Sequence, residues 1–196
     1  MSKVIYCIRH GLSQHNLNYY KYGSQTFYDP QFVDTRLALE GYAQAKELRE
    51  TWNHLSTVEL VIVSPLKRCL QTATEIFRDT KIPMIALETV REYPMGLQTC
   101  NQRSTKDSLQ SQFPHIDFSD LQTNEDTLWN SEREETIDEL NTRINVFKKY
   151  VLERPESTIA FVNHSSFIGQ MKDNSIKYLD NGDQELSHCY PYLFKL

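Results

Sequence analysis

Lys3-Val4-Ile5-Tyr6-Cys7-Ile8-Arg9-His10-Gly11 holds an unbroken apolar run from Val4 to Ile8 and ends in two cation-forming side chains and a glycine. A short, β-branched run of this kind reads as a strand buried on both faces. Arginine and histidine at its exit are poor core residues, because each needs a partner if it is buried. Gly11 lets the chain turn sharply there and approach a ligand closely. Ser13 and Asn16 follow at short range and add hydrogen-bonding groups.

The same design recurs twice along the chain. Val58–Val63 reads as a second buried strand, closed by Ser64-Pro65-Leu66-Lys67-Arg68. Thr158–Val162 is another, closed by Asn163-His164-Ser165. Ile82–Leu87 reads as a further short strand, with Pro83 arguing for an edge position or a strand start. The intervals carry helical patterning. Leu39–His54 is rich in Ala, Leu, Glu, Gln and Lys, with Ala45, Leu48 and Trp52 on one face. Pro65 is suited to the first turn of a helix running to about Phe77. Glu134–Leu152 places Ile137, Leu140, Ile144, Phe147 and Val151 at spacings of three and four. A polar turn at Asn163–Ser166 leads into a helical stretch to about Leu179, and the Tyr/Phe-rich His188–Leu196 reads as a terminal strand. Alternating strands and helices predict an α/β fold, a three-layer α/β/α sandwich around a mostly parallel sheet. Residues 91–133 break the pattern with Pro94, Gly96, Pro114 and many small polar residues. A loop-rich specificity insertion is expected there, with a short helix around Thr105–Gln112.

Composition narrows the function classes. The 196 residues suit one domain, 1–196, large enough to bury a core without staples. The 21 basic against 26 acidic residues give −5, which argues against holding nucleic acid by bulk charge. No apolar run approaches a membrane span, and the N-terminal run is too short for a signal peptide. The four cysteines, Cys7, Cys69, Cys100 and Cys189, are scattered without metal-ligand spacing and read as reduced thiols of a cytoplasmic protein. The glycosylation-type triplet Asn163-His164-Ser165 ends a buried run and is discounted.

Ligands of parallel sheets sit at the carboxyl ends of the strands, and three such ends carry the unusual polar groups. Taken singly, each admits a plain reading. Arg9 and His10 could be surface charges, Arg68 a solvated helix arginine, His164 a satisfied turn histidine. Together they describe an anion site, to which Arg68 adds a guanidinium near a helix N-terminus. Glu88 and Glu92 are both within reach as acids, and the residues alone do not choose between them. Arg103 is either a loop arginine or a contact for an acidic substrate tail. Tyr93 either stacks over a pocket or packs. Tyr19, Tyr20, Tyr22, Phe27 and Tyr28 form an aromatic loop that either walls a pocket or packs beneath itself. His15 lies close to His10 without the spacing of a metal site, so neither a catalytic metal nor a cofactor is expected.

Arg9-His10-Gly11-Leu12-Ser13-Gln14-His15-Asn16 resembles the RHGxSxxN motif of the histidine phosphatase superfamily, which includes the phosphoglycerate mutases. Ser64-Pro65-Leu66-Lys67-Arg68 resembles its SPLxR motif, and Val162-Asn163-His164-Ser165 its late strand-end histidine. Gly41-Tyr42-Ala43-Gln44-Ala45 is similar to its GxxQA turn. The resemblance implies His10 as nucleophile, with Arg9, Arg68 and His164 around the phosphoryl group. It implies Glu92 as proton donor, since Gly96 follows as in an ExxxG pattern, and Ser13 and Asn16 as phosphate contacts. Ser165 stands where many members have glycine, and its backbone N–H can serve equally.

A metal-independent phosphomonoesterase is therefore expected, acting through a phosphohistidine on a small phosphorylated substrate or a phosphoprotein. A cofactor-dependent phosphoglycerate mutase shares the intermediate but closes its site with a C-terminal tail. Here only Pro191–Leu196 follow His188-Cys189-Tyr190. The Arg91-Glu92-Tyr93-Pro94 and Cys100-Asn101-Gln102-Arg103 segments resemble a mutase-like subgroup more than the mutases themselves. A non-catalytic binding protein on the same fold is disfavoured, because Arg9, His10, Arg68 and His164 are all present.

Overall fold

A computed structural model describes residues 2–173 and 186–196. They form a five-stranded sheet from β1 (Val4–Arg9), β2 (Leu60–Val63), β3 (Met84–Ala86), β4 (Thr158–Asn163) and β5 (Pro191–Lys195), in the order β3-β2-β4-β1-β5. The first four strands run parallel, and β5 returns antiparallel along β1. The helices are α1 (Gln14–Tyr22), α2 (Leu39–Thr51), α3 (Lys67–Ile76), α4 (Lys106–Gln112), α5 (Ile137–Glu153) and α6 (Ser165–Asp173).

Side chains alternate across the pleat into two cores. Val61, Val63, Ala160 and Val162 meet Ala45 of α2 with Leu70 and Ala73 of α3. Leu60, Ile62, Ile159 and Phe161 meet Leu140 and Phe147 of α5 with Phe167 of α6. Helices thus cover both faces, the reason the strands are apolar throughout instead of alternating. The expected mostly parallel α/β sheet is the observed one. Register pairs Arg9 with Asn163 and Val63 with Val162, so β1, β2 and β4 end side by side.

Several boundaries differ from expectation, each for a local reason. The helix from Leu39 stops at Thr51, because Trp52 turns into the core and meets Tyr6 edge to face at 5.1 Å. α3 starts at Lys67, not Pro65. Leu66 has no side-chain oxygen to cap it, and Asp34 Oδ1, from a distant loop, accepts the Lys67 N–H at 2.8 Å. β3 is short and sits at the sheet edge, where Pro83 can be tolerated. The final strand begins at Pro191, not His188. Tyr19, Tyr20 and Tyr22 lie on the unanticipated helix α1, capped by Ser13, while Phe27 and Tyr28 close a short 3₁₀ turn. The expected helix beyond Asp173 lies outside the described residues. Among the described residues no helix is long and apolar enough to cross a membrane.

Candidate active site

A cavity of about 350 Å³ opens at the tips of β1 and β4 and the start of α3, lined by Arg9, His10, Asn16, Arg68, Glu92 and Ser165 among others. His164 is fully buried beside it, its ring centroid 5.2 Å from that of His10.

His10 is held from several directions. Its backbone N–H donates to Asn163 O at 2.8 Å, extending the β1–β4 ladder by one residue. Gly11 N–H donates to Thr72 Oγ1 at 3.0 Å, and Leu12 N–H donates to Gln44 Oε1 at 2.9 Å. The backbones of Gly11 and Gly41 touch, so that a Cβ on Gly11 would lie 2.5 Å from Gly41 O. In the imidazole, Nδ1 lies 2.7 Å from Gly11 O. A carbonyl only accepts, so Nδ1 carries the proton and Nε2 keeps its lone pair. Burial holds the His10 pKa well below the usual histidine range, aided by the charges of Arg68, His164, His188 and Arg9.

Arg68, in the first turn of α3, donates to Cys100 O at 2.7 Å and Asn101 Oδ1 at 2.9 Å. Its buried Nε has no hydrogen-bond partner among the described residues and is a donor suited to a phosphate oxygen. Arg9 donates from one terminal nitrogen to Leu186 O at 2.7 Å. His164 Nε2 lies 2.8 Å from Ser64 Oγ, and its Nδ1 lies 3.9 Å from Glu92 Oε2. Burial, then Arg68, keeps His164 uncharged as well. Glu92 Oε1 accepts the Tyr93 N–H at 2.8 Å. Burial raises its pKa, and Arg68, the Tyr93 N–H, Arg9 and Arg143 only partly offset this. The cavity therefore holds a neutral imidazole with a free lone pair, guanidinium donors, and a carboxyl group biased toward its acid form.

Residues 5–177 match the model of the histidine phosphatase superfamily (branch 1). The chain belongs to that superfamily. It is 32% identical over 201 residues to phosphoglycerate mutase-like protein 1 of Arabidopsis thaliana, an alignment covering 85% of this chain and 69% of the relative. The fold is shared with alpha-ribazole phosphatase from Shigella flexneri, at TM-score 0.62 and 19% identity, over 94% of this chain and 86% of the other. It is shared also with a mycobacterial glucosyl-3-phosphoglycerate phosphatase, at TM-score 0.60 and 17% identity, over 100% of this chain and 91% of the other.

Within this histidine phosphatase fold, Arg9, His10, Arg68, Glu92, His164, Asn16 and Ser165 converge, and the two glutamates are placed apart. Glu92 lines the cavity, whereas Glu88 is paired with Arg91 and Arg103 away from it. Arg103 corrects the expectation of a substrate contact. It is 4% exposed and all five of its side-chain N–H groups are engaged, by Glu88 Oε1 and by the carbonyls of Ser104, Thr123, Asn124 and Glu125. It organises the insertion and does not face the cavity. Ser13 is also placed differently from a phosphate contact. Fully buried, its hydroxyl caps α1 and donates to Asn16 Oδ1 at 2.6 Å, which leaves the amide NH₂ of Asn16 as the group for the cavity. Tyr93 lines the cavity and also packs against the α5–α6 core.

Other residues line or support the site without being assigned to it from the sequence, where His15 is weighed only as a metal ligand. His188 Nδ1 donates to His10 O at 2.5 Å, and the two rings are 5.6 Å apart. His15 lines the cavity, its Nδ1 2.6 Å from Thr35 Oγ1. Asn101 positions Arg68. His188 followed no apolar run, and Asn101 lay in a polar stretch like any other, so neither carried a local signal. Among the described residues no group of three or more His, Cys, Asp or Glu side chains is arranged to hold a metal ion.

Proposed function

We propose that the protein is a metal-independent phosphomonoesterase that forms a phosphohistidine on His10 and takes a small phosphorylated substrate. The observation that carries this reading is the 2.7 Å approach of His10 Nδ1 to Gly11 O: a proton committed to that carbonyl leaves the Nε2 lone pair in one cavity with Arg68 and Glu92. Phosphoryl transfer needs chiefly in-line positioning and charge stabilisation on the equatorial oxygens, which guanidinium donors supply. His10 Nε2 attacks phosphorus as the ester P–O bond breaks, and the Glu92 carboxyl gives its proton to the leaving alkoxide. Water then attacks the phosphohistidine and gives a proton to the Glu92 carboxylate. The P–N bond breaks, inorganic phosphate departs, and His10 is again neutral.

The names of the two structural relatives, whose stated substrates are small phosphorylated molecules, support the substrate size. His10→Ala is expected to abolish hydrolysis of an alkyl phosphate while circular dichroism and the melting curve stay those of a folded protein. Acid-quench trapping with labelled substrate should give an adduct on the wild type that is acid-labile and base-stable. Turnover retained in the purified variant would end the proposal. Interconversion of 2- and 3-phosphoglycerate well above the rate of hydrolysis would replace water by a second hydroxyl as the acceptor.

A further inference from the structure

The cavity has two chemically different ends. Arg9, Arg68 and His10 lie at the inner end, and no other lysine or arginine among the described residues lines it. The outer part is walled by Tyr19, Tyr20, Phe27, Tyr28 and Tyr93, with Glu134 at the rim. Tyr19 lies flat on Phe27, with ring centroids 5.0 Å apart and 10° between planes, and Phe27 meets His15 edge to face at 5.9 Å. An aromatic stack thus runs outward from an imidazole of the site. Tyr20 is 62% exposed and Tyr28 46% exposed. Aromatic rings normally bury most of their area, and here they cluster over the opening. The Tyr28 hydroxyl donates to Glu134 Oε1 at 3.3 Å, which holds the carboxylate against the same wall.

We propose that this wall selects the alcohol half of the substrate: a flat aromatic group without negative charge, with esters bearing a second anion rejected. The proposal rests on the phosphatase reading for the inner end of the cavity. An aromatic leaving group finds stacking surface along its path, whereas among the described residues a carboxylate or second phosphate meets no lining cation beyond the inner end and is repelled by Glu134.

Benzyl phosphate, glycerol 1-phosphate and 3-phosphoglycerate all release simple alcohols, so their kcat/KM values report recognition more than leaving-group strength. Benzyl phosphate should exceed glycerol 1-phosphate by about tenfold, the scale of one good aromatic contact, and 3-phosphoglycerate should be the poorest. Tyr19→Ala and Phe27→Ala should bring the benzyl-to-glycerol ratio toward one through KM. Glu134→Lys should raise 3-phosphoglycerate relative to glycerol 1-phosphate by about fivefold, the scale of one exposed charge pair. Wild-type preference for 3-phosphoglycerate, or a benzyl ratio unmoved by both aromatic variants, would overturn the proposal while leaving the phosphatase standing. Calorimetric binding of benzylphosphonate against 3-phosphonopropionate makes the same comparison without turnover. If no ester is hydrolysed, the phosphatase reading falls, and the ligand class stands on about tenfold tighter benzylphosphonate binding or falls with equal binding.

Discussion

At the scale of single residues, one cavity pushes two ionisations in opposite directions. Burial opposes the charged form of either group, so it lowers the pKa of His10 and raises that of Glu92. The cations nearby reinforce the first shift and partly offset the second. In the proposed mechanism these opposite shifts favour a neutral imidazole at His10 together with a carboxylic acid at Glu92. The signs then fix the pH profile. As pH rises through the elevated Glu92 value, the proton that the proposed mechanism gives to the leaving alkoxide should be lost and kcat/KM should fall. As pH drops through the depressed His10 value, the proposed nucleophile should be protonated and activity lost again. The optimum should therefore lie between the depressed His10 value and the elevated Glu92 value. Glu92→Gln should lower kcat/KM for benzyl phosphate by about 10²–10⁴-fold, as expected for loss of general-acid assistance. The basic limb should flatten with it. A pH–rate series on both proteins checks this, and an unchanged basic limb in the variant would remove Glu92 from the proton transfer.

At the scale of elements, the site depends on how closely α2 approaches the loop after β1. A Cβ on Gly41 would lie 2.2 Å from Leu12 O, a backbone atom that cannot swing aside. Gln44, one turn later, accepts the Leu12 N–H, and Ala45 is fully buried against the sheet. The GxxQA turn is thus a docking surface for the loop that carries His10. Gly41→Ala should cost about 1–3 kcal/mol of stability, the usual range for overpacking. It should lower kcat more than KM, since it displaces the nucleophile and leaves the aromatic wall in place. Urea unfolding and steady-state kinetics read both effects, and a variant with wild-type kcat would show that the loop does not need this contact. The strands and their polar exits were legible because a strand covered on both faces must be apolar along its length, so Arg9, Ser64 and Asn163 mark its ends plainly. What could not be read was made by partners distant in sequence. Asp34 caps α3 from a loop 33 residues before Lys67. The same carboxylate accepts the Ser104 N–H through Oδ2 at 2.8 Å, tying α3 to the insertion. Arg103 has the local sequence of a solvated loop residue, and its fate is set by carbonyls on a return segment that no periodicity announces. His188 gains its place only when β5 pairs with β1.

At the scale of the whole molecule, four imidazoles from three parts of the chain are kept uncharged by folding. His10, His15 and His164 are each held well below the usual histidine value, by burial first and then by Arg68. His188 is lowered to about 3, by burial and then by Arg9. The fold thus gathers neutral imidazoles around the charged Arg9 and Arg68, whose guanidinium groups are what a dianion in the cavity would meet. Such a collection has a thermodynamic consequence independent of catalysis. The folded-state values lie below the unfolded one, so the unfolded chain binds more protons in the interval between them. Stability from these groups is fully present above the ordinary histidine pKa and is lost as pH falls through the folded values. Each can contribute up to about 1.4 kcal/mol per pH unit, so a fall from about pH 7 to about pH 5.5 should cost several kcal/mol in all. Inorganic phosphate or vanadate should restore part of this loss, because an anion seated among the cations favours the folded state. Urea unfolding at the two pH values, with and without the anion, measures it. His10→Gln should reduce the steepness by about one proton's share. A steepness left unchanged by His10→Gln would mean that the His10 imidazole is already protonated in the folded protein, and that the proposed buried, neutral nucleophile does not exist.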